Sequence, residues 1–237
     1  MIKVANIMLA TVLSATISSC ALPRMAADSI ESRIEQQRIE VIRETRSAVV
    51  RVFSSDRKGI GSGTGTLFLF DGQQVILTAA HVVPEGADLL ISSHITPDML
   101  YTAKAVYVDR NSDIAVLQPI NYIPTPAQLP LLVSDELPEI GEDTIYSGYP
   151  NSHAMLTING RVSGITQNRA RLFIDSFAWM GASGSSIFNL DGELIGVLSA
   201  MDQGTNTVGM PTLIPQVVVI MPIARLDAEA LAFLLDR

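Results

Sequence analysis

Residues 179–200 read WMGASGSSIFNLDGELIGVLSA. Ser183 stands in a tight turn, with Gly181 and Gly184 close on either side. An apolar run, Ser186 to Leu190, follows at once. Asp191-Gly192 is a two-residue hairpin signal, and a second apolar run, Glu193 to Ala200, comes after it. The spacing therefore predicts a serine at the tip of a turn that feeds a β-hairpin. Glycines give such a turn unusual backbone angles and let another group come close. The N–H groups of Gly181 and Ser183 would then face one spot beside the hydroxyl. A hydroxyl with two backbone donors beside it suits acyl transfer. Taken alone, the pentapeptide also fits a plain Gly/Ser-rich turn.

Working outward, the chain is dominated by short apolar runs punctuated by turns. They cover Ala48 to Phe53, Thr64 to Phe70, Gln74 to Thr78, Asp88 to Ser92, Tyr101 to Val108 and Ile114 to Gln118. Asp71-Gly72 joins two of them as a hairpin. Asp56 to Gly63 reads as a polar, glycine-rich turn. Pro119 to Pro138 holds five prolines and can be neither regular sheet nor helix, so residues 119–140 read as a connector. Beyond it the series resumes with Asp143 to Tyr149, Leu156 to Gln167, Arg171 to Phe177, Ser186 to Leu190, Glu193 to Ala200 and Pro215 to Ile220. Short strands at this spacing indicate a sandwich or barrel. The domains expected are β units over 48–118 and 141–223.

Two helices flank them. Asp28 to Arg46 has Asp28 as its cap and Glu31 three residues on, with Ile30, Ile34, Val41 and Ile42 near one face. It reads either as a stalk or as a helix packed on the core. At the other end 224–237 holds a helix over Ala224 to Leu235, its apolar face made by Leu226, Ala230, Leu231, Leu234 and Leu235.

The 237 residues are ample for a buried core, and 48% hydrophobic against 17% charged excludes a disordered chain. The net charge of −8 argues against nucleic acid or an anionic membrane as main partner. One cysteine, Cys20, allows no intrachain disulfide. Scattered histidines, with no HExxH and no CxxC, give no metal site, and no cofactor is expected. Gly59-x-Gly-x-Gly-x-Gly65 is followed by no helix and no Lys-Ser/Thr, so it is not a phosphate loop. A flexible β-turn fits it better.

A serine is a poor nucleophile until a base takes its proton, and histidine is the usual base. His81 follows a strand in LTAAHVV, whereas His94 and His153 sit in polar loops. The base needs an acid on its other nitrogen. Asp113, in DRNSDIAVLQP, heads an apolar strand, and Asp109 competes with it locally.

In the order His, Asp, Ser, the segments TAAHVV, SDIAVL and GASGS resemble the trypsin-like (chymotrypsin-fold) serine proteases over roughly residues 48–223. The order differs from that of the α/β-hydrolases. The resemblance implies an all-β fold, two six-stranded antiparallel β-barrels with the active site between them, plus the two helices. It implies His81 as base, Asp113 as its orienting acid, Ser183 as nucleophile and the N–H groups of Gly181 and Ser183 as oxyanion hole. Ser199 matches a serine that supports the aspartate. GASGSSIFN and Gly148-Tyr149-Pro150 are similar to segments of bacterial glutamyl-endopeptidase-like and HtrA-like members. The sequence ends with its helix, so the expectation is a protease domain without a PDZ domain. Ala182 replaces the usual Asp or Asn, and Ser186 the usual proline. Ala178 and Leu198 occupy positions that carry a hydroxyl residue and a histidine in glutamate-specific relatives. Phe177, Ala178, Leu198 and Ala200 thus imply a pocket for a small or apolar residue. A protein or peptide is the implied substrate.

The N-terminus reads as a targeting segment. Lys3 is followed by a mostly apolar run, Val4 to Ile17, too short and too interrupted for a comfortable membrane span. Ile17-Ser18-Ser19-Cys20 resembles a bacterial lipobox. That reading makes residues 1–19 a signal peptide, Cys20 a lipidation site and membrane anchor, and 20–47 a linker and helix. Cleavage after Ala21 is the competing reading. An exported cell-envelope protein is expected either way, lipid-anchored or secreted. Two other readings of the whole are a non-catalytic peptide-binding module on the same fold and an envelope adaptor lipoprotein.

Overall fold

The computed structural model describes residues 21–205 and 209–236. The expected signal segment 1–19 and Cys20, the expected lipidation site, lie outside the described residues.

Helix α1 spans Ala21–Ser47. The chain is already helical at Asp28, so that residue lies inside the helix and does not cap it. A boundary after Gln36 divides the chain into two units. In the first, Ile30 and Ile34 are exposed. In the second, the rest of α1 is fastened to the β structure. Val41 and Thr45 are buried there. Arg46 donates to Thr157 Oγ1 at 2.7 Å and to the Met155 carbonyl at 2.9 Å. Arg38 pairs with Asp143 at 3.4 Å.

Among the described residues twelve strands follow, folded as two closed antiparallel barrels. The first holds β1 (Val49–Asp56), β2 (Gly59–Phe70), β3 (Gln73–Ala79), β4 (Asp88–Ser93), β5 (Thr96–Asp109) and β6 (Ile114–Pro119), in the order β1-β2-β3-β6-β5-β4. The second holds β7 (Asp143–Gly148), β8 (Leu156–Ile165), β9 (Leu172–Asp175), β10 (Ser186–Asn189), β11 (Leu194–Thr205) and β12 (Pro211–Pro222), in the order β10-β11-β12-β9-β8-β7. The fold is all-β and trypsin-like, with a helix at each end. Closure of each barrel leaves no free edge, which a two-sheet stack would expose. Leu67, Ile76, Leu77, Ile91 and Leu117 are fully buried in the first barrel, and Leu172, Ile174 and Ile187 in the second. Each such side chain contributes about 1.5–3 kcal/mol over an exposed one.

Two local readings are corrected. The polar stretch Asp56 to Gly63 is not a long turn. β1 and β2 pair continuously to Asp56 opposite Gly59, and only Arg57-Lys58 turns. Asp56 closes that turn by accepting from the backbone of Lys58 and Gly59. Gly63 and Gly65 of β2 serve close approach instead. A Cβ at Gly63 would sit 2.7 Å from both Val82 methyls, and one at Gly65 would sit 2.6 Å from Ile76. At Asp191-Gly192 the hairpin loop is longer than two residues. β10 ends at Asn189, whose N–H donates to the Glu193 carbonyl, and Gly192 takes the left-handed position, φ +80°.

The last helix, α2 (Ala228–Leu235), starts later than its apolar pattern. Ile223–Arg225 is a separate 3-10 turn, and Asp227 caps α2 by accepting from Ala230 N at 2.9 Å. Leu226, Leu231 and Leu235 are buried.

Candidate active site

The site lies where the two barrels meet. β3 ends at Ala79, and one 3-10 turn, Ala80–Val82, carries His81. Asp113 sits in the turn between β5 and β6, in the left-handed region at φ +50°. An aspartate tolerates that conformation better than most residues. Its carboxylate meets His81 twice. Oδ1 accepts the His81 backbone N–H at 2.9 Å, and Oδ2 lies 2.8 Å from Nδ1. The Asp113 carbonyl also accepts from Ala80 N at 3.1 Å.

Burial pushes the Asp113 carboxyl up, but hydrogen bonds from the His81 ring, the Ser199 hydroxyl and the His81 backbone together hold it below the usual range. The group is therefore a carboxylate and can only accept. Nδ1 must carry a proton toward it, which leaves Nε2 of the neutral ring as a free base. Asp109 is spoken for locally. It accepts from Asn111 N and from the Ser112 hydroxyl. This settles which aspartate faces the histidine.

Ser183 lies at the tip of its turn, half-buried. Its Oγ is 3.4 Å from the Ser199 carbonyl, and it lines a cleft of about 420 Å³ together with His81, Val82, Met180 and Gly181. Among the described residues, His81 Nε2 and the N–H groups of Gly181 and Ser183 donate to or accept from nothing else. The turn is rigid. Gly181 has φ +96° and Gly184 φ +89°. A Cβ on Gly184 would lie 2.1 Å from the Thr64 carbonyl, so glycine is required there. Ala182 N donates to the Trp179 carbonyl, and the Ser185 hydroxyl donates to the Ala182 carbonyl.

Ser199, on β11, donates to Asp113 Oδ2. The four pocket candidates are placed differently from one another. Ala178 and Leu198 are buried in the second barrel's core. Phe177 is half-exposed and stacks on Trp179 with ring centroids 6.3 Å apart, and Ala200 is exposed. The Tyr146 hydroxyl donates to the Phe177 carbonyl.

Three residues that sequence reasoning missed brace this site. Arg110 donates both guanidinium arms to the carbonyls of Ala80 and Val83, on either side of His81. Asn151, at φ +48°, donates its N–H to the Met180 carbonyl at 2.6 Å. Thr64, on β2, reaches across to the Ser183 turn. Each acts on a segment distant in sequence, so no local motif marks it.

Two six-stranded barrels with a histidine, an aspartate and a serine gathered at their junction define the chymotrypsin-like fold class. The comparisons agree. The family model described as trypsin-like peptidase domain matches residues 63–197, and the chain belongs to that family. A "probable periplasmic serine endoprotease DegP-like" of Halomonas elongata is 33% identical over 62% of this chain and 30% of its own length. The "periplasmic pH-dependent serine endoprotease DegQ" of Escherichia coli is 30% identical over 67% of this chain and 35% of its own. The chain thus spans about a third of the length of these curated relatives. Among solved structures, the serine endoprotease from Yersinia pestis superposes with TM-score 0.63 at 21% identity, covering 83% of this chain and 65% of that one. A protease from M. tuberculosis in its active form gives 0.60 at 21% identity, covering 83% and 82%. These two likenesses speak to the fold.

Proposed function

We propose that the chain is a serine endopeptidase that cleaves peptide bonds through an acyl-enzyme, with His81, Asp113 and Ser183 as its triad. The observation that carries this is the doubly held His81–Asp113 pair opening onto the same cleft as Ser183, beside two unengaged N–H groups.

A change of Ser183 rotamer turns its Oγ within the cleft. Oγ then attacks the carbonyl carbon of a bound peptide while His81 Nε2 takes its proton. The carbonyl oxygen becomes an oxyanion and is met by the N–H groups of Gly181 and Ser183. One such donor is worth about 3 kcal/mol, a hundred-fold or more in rate. The C–N bond breaks, and the amine leaves with the proton from His81. Water, deprotonated by the same nitrogen, then releases the acid and restores Ser183. Throughout, Asp113 keeps the ring in one tautomer and offsets its transient positive charge. Ser199 holds Asp113.

The substrate is a protein or peptide. Phe177, Ala178, Leu198 and Ala200, the pocket residues the sequence resemblance implies, favour a small or apolar residue before the cleaved bond. The periplasmic relatives support export to the cell envelope, and the sequence adds lipidation of Cys20 as the anchor.

Incubating the chain with unfolded casein and a peptide library tests this. Cleavage by the wild type and none by Ser183→Ala is expected. Equal cleavage by both, or none by either, would overturn the assignment.

A further inference from the structure

Thr64 belongs to the first barrel, yet its polar atoms serve the nucleophile turn of the second. It is wholly buried. Its hydroxyl donates to the Gly181 carbonyl at 2.8 Å and accepts from Tyr149 N at 3.0 Å. Its backbone N–H donates to the Ser183 carbonyl at 2.8 Å, and its own carbonyl accepts from the Thr78 hydroxyl at 2.7 Å. We propose that Thr64 is a positioning residue of the oxyanion site, whose hydroxyl holds the Gly181–Ala182 peptide and with it the backbone of Gly181, so that the Gly181 N–H stays aimed at the substrate oxygen. This rests on the peptidase reading above.

The argument is one of peptide planes. A peptide unit is rigid, so holding its carbonyl also sets its N–H. The Met180–Gly181 unit is held by Asn151 N–H on the Met180 carbonyl. Its own N–H therefore points the opposite way. The next unit, Gly181–Ala182, is held by the Thr64 hydroxyl on the Gly181 carbonyl. Gly181 lies between the two clamps at φ +96°, where a Cβ would sit 2.5 Å from the Tyr149 carbonyl. Glycine has the widest choice of backbone angles, so weakening either clamp gives this residue room to rotate. The first clamp is main chain; the second is the Thr64 side chain, with the Ala182 N–H donating to the Trp179 carbonyl from the same peptide unit. A hydroxyl has one proton and two lone pairs, so it can give to Gly181 and take from Tyr149 at once. Valine has nearly the same shape and can do neither. It would leave a part-buried carbonyl and a buried N–H unpaired.

The test uses the full chain as wild type, Thr64→Val and Thr64→Ser, with Thr64→Ala should the valine variant fail to fold. Reactive serines are titrated first, and kcat and KM on one peptide are then expressed per titrated site. Thr64→Val should lose about 10–100-fold in kcat per site, short of or equal to the loss of a whole donor, with KM within about two-fold. Affinity for a peptide boronate, which mimics the tetrahedral state, should fall in parallel. Thr64→Ser should restore most of the rate. A merely structural role would lower the number of titrated sites and leave kcat per site unchanged, and that outcome overturns the proposal while the peptidase reading stands. A wild type that neither titrates nor cleaves would overturn both.

Discussion

Ser199 donates its hydroxyl proton to Asp113 Oδ2 at 2.5 Å, the same carboxylate oxygen that lies 2.8 Å from His81 Nδ1. One oxygen of the first barrel is thereby tied to a strand of the second, and the geometry of the histidine depends on both barrels. Removing the hydroxyl takes a donor from a partly buried anion. Ser199→Ala should destabilise the fold by about 1.5–3 kcal/mol, the range for hydrogen bonds to charged groups. It should also raise the Asp113 pKa, so that the stability this carboxylate contributes is lost at a higher pH on acidification. Urea unfolding at neutral and at acid pH checks the two effects separately.

Acid sensitivity should follow from the same carboxylate. Its pKa is lower folded than unfolded, so the unfolded chain binds more protons in acid. The stabilisation is complete above the unfolded carboxyl value, about pH 4, and is lost as pH falls through the folded one. Asp113→Asn has no such proton to take up. Between about pH 5 and 3 it should lose less stability than the wild type, although it starts lower. Its kcat near neutrality should fall about 10⁴-fold, the loss that follows when the ring is held in the wrong tautomer.

Arg110 grips the turn that presents His81 through the carbonyls of Ala80 and Val83. A lysine keeps the charge but not the fork that reaches both. Arg110→Lys should therefore lower kcat more than it raises KM, and should cost about 1–3 kcal/mol of stability. Steady-state kinetics beside a thermal melt would show it.

The glycines of β2 give a steric prediction. Gly63→Ala places a Cβ 2.7 Å from the Val82 methyls and 3.0 Å from the Ser183 carbonyl. Overpacking of this kind costs about 1–3 kcal/mol. Adding Val82→Ala should recover part of the loss, since the methyls yield and the carbonyl does not. If the double variant is no more stable than the sum of the single ones, the contact does not limit the fold.

What was legible in the sequence is what local chemistry encodes. Alternating apolar runs marked the strands. Asp71 and Gly72 both take positive φ, as their hairpin signal requires. The His81, Asp113 and Ser183 segments each carried a recognisable local pattern, and the structure sets His81 and Ser183 on one cleft with Asp113 against His81. The failures share a cause. Gly63 and Gly65 read as part of a turn because the groups they make room for, Val82 and the Ser183 carbonyl at Gly63 and Ile76 at Gly65, lie farther along the chain. Thr64 sat unnoticed inside the same stretch. Asp227 was missed as a cap because the apolar pattern runs through it into Leu226, which a 3-10 turn carries.

The most direct test of the central claim is covalent labelling of the full chain by a fluorophosphonate probe at pH 7–8, with Ser183→Ala and His81→Ala alongside. The account predicts one probe per wild-type chain, attached at Ser183, and none on either variant. Label on a folded His81→Ala chain at the wild-type rate, or its absence from a folded wild type, would contradict it.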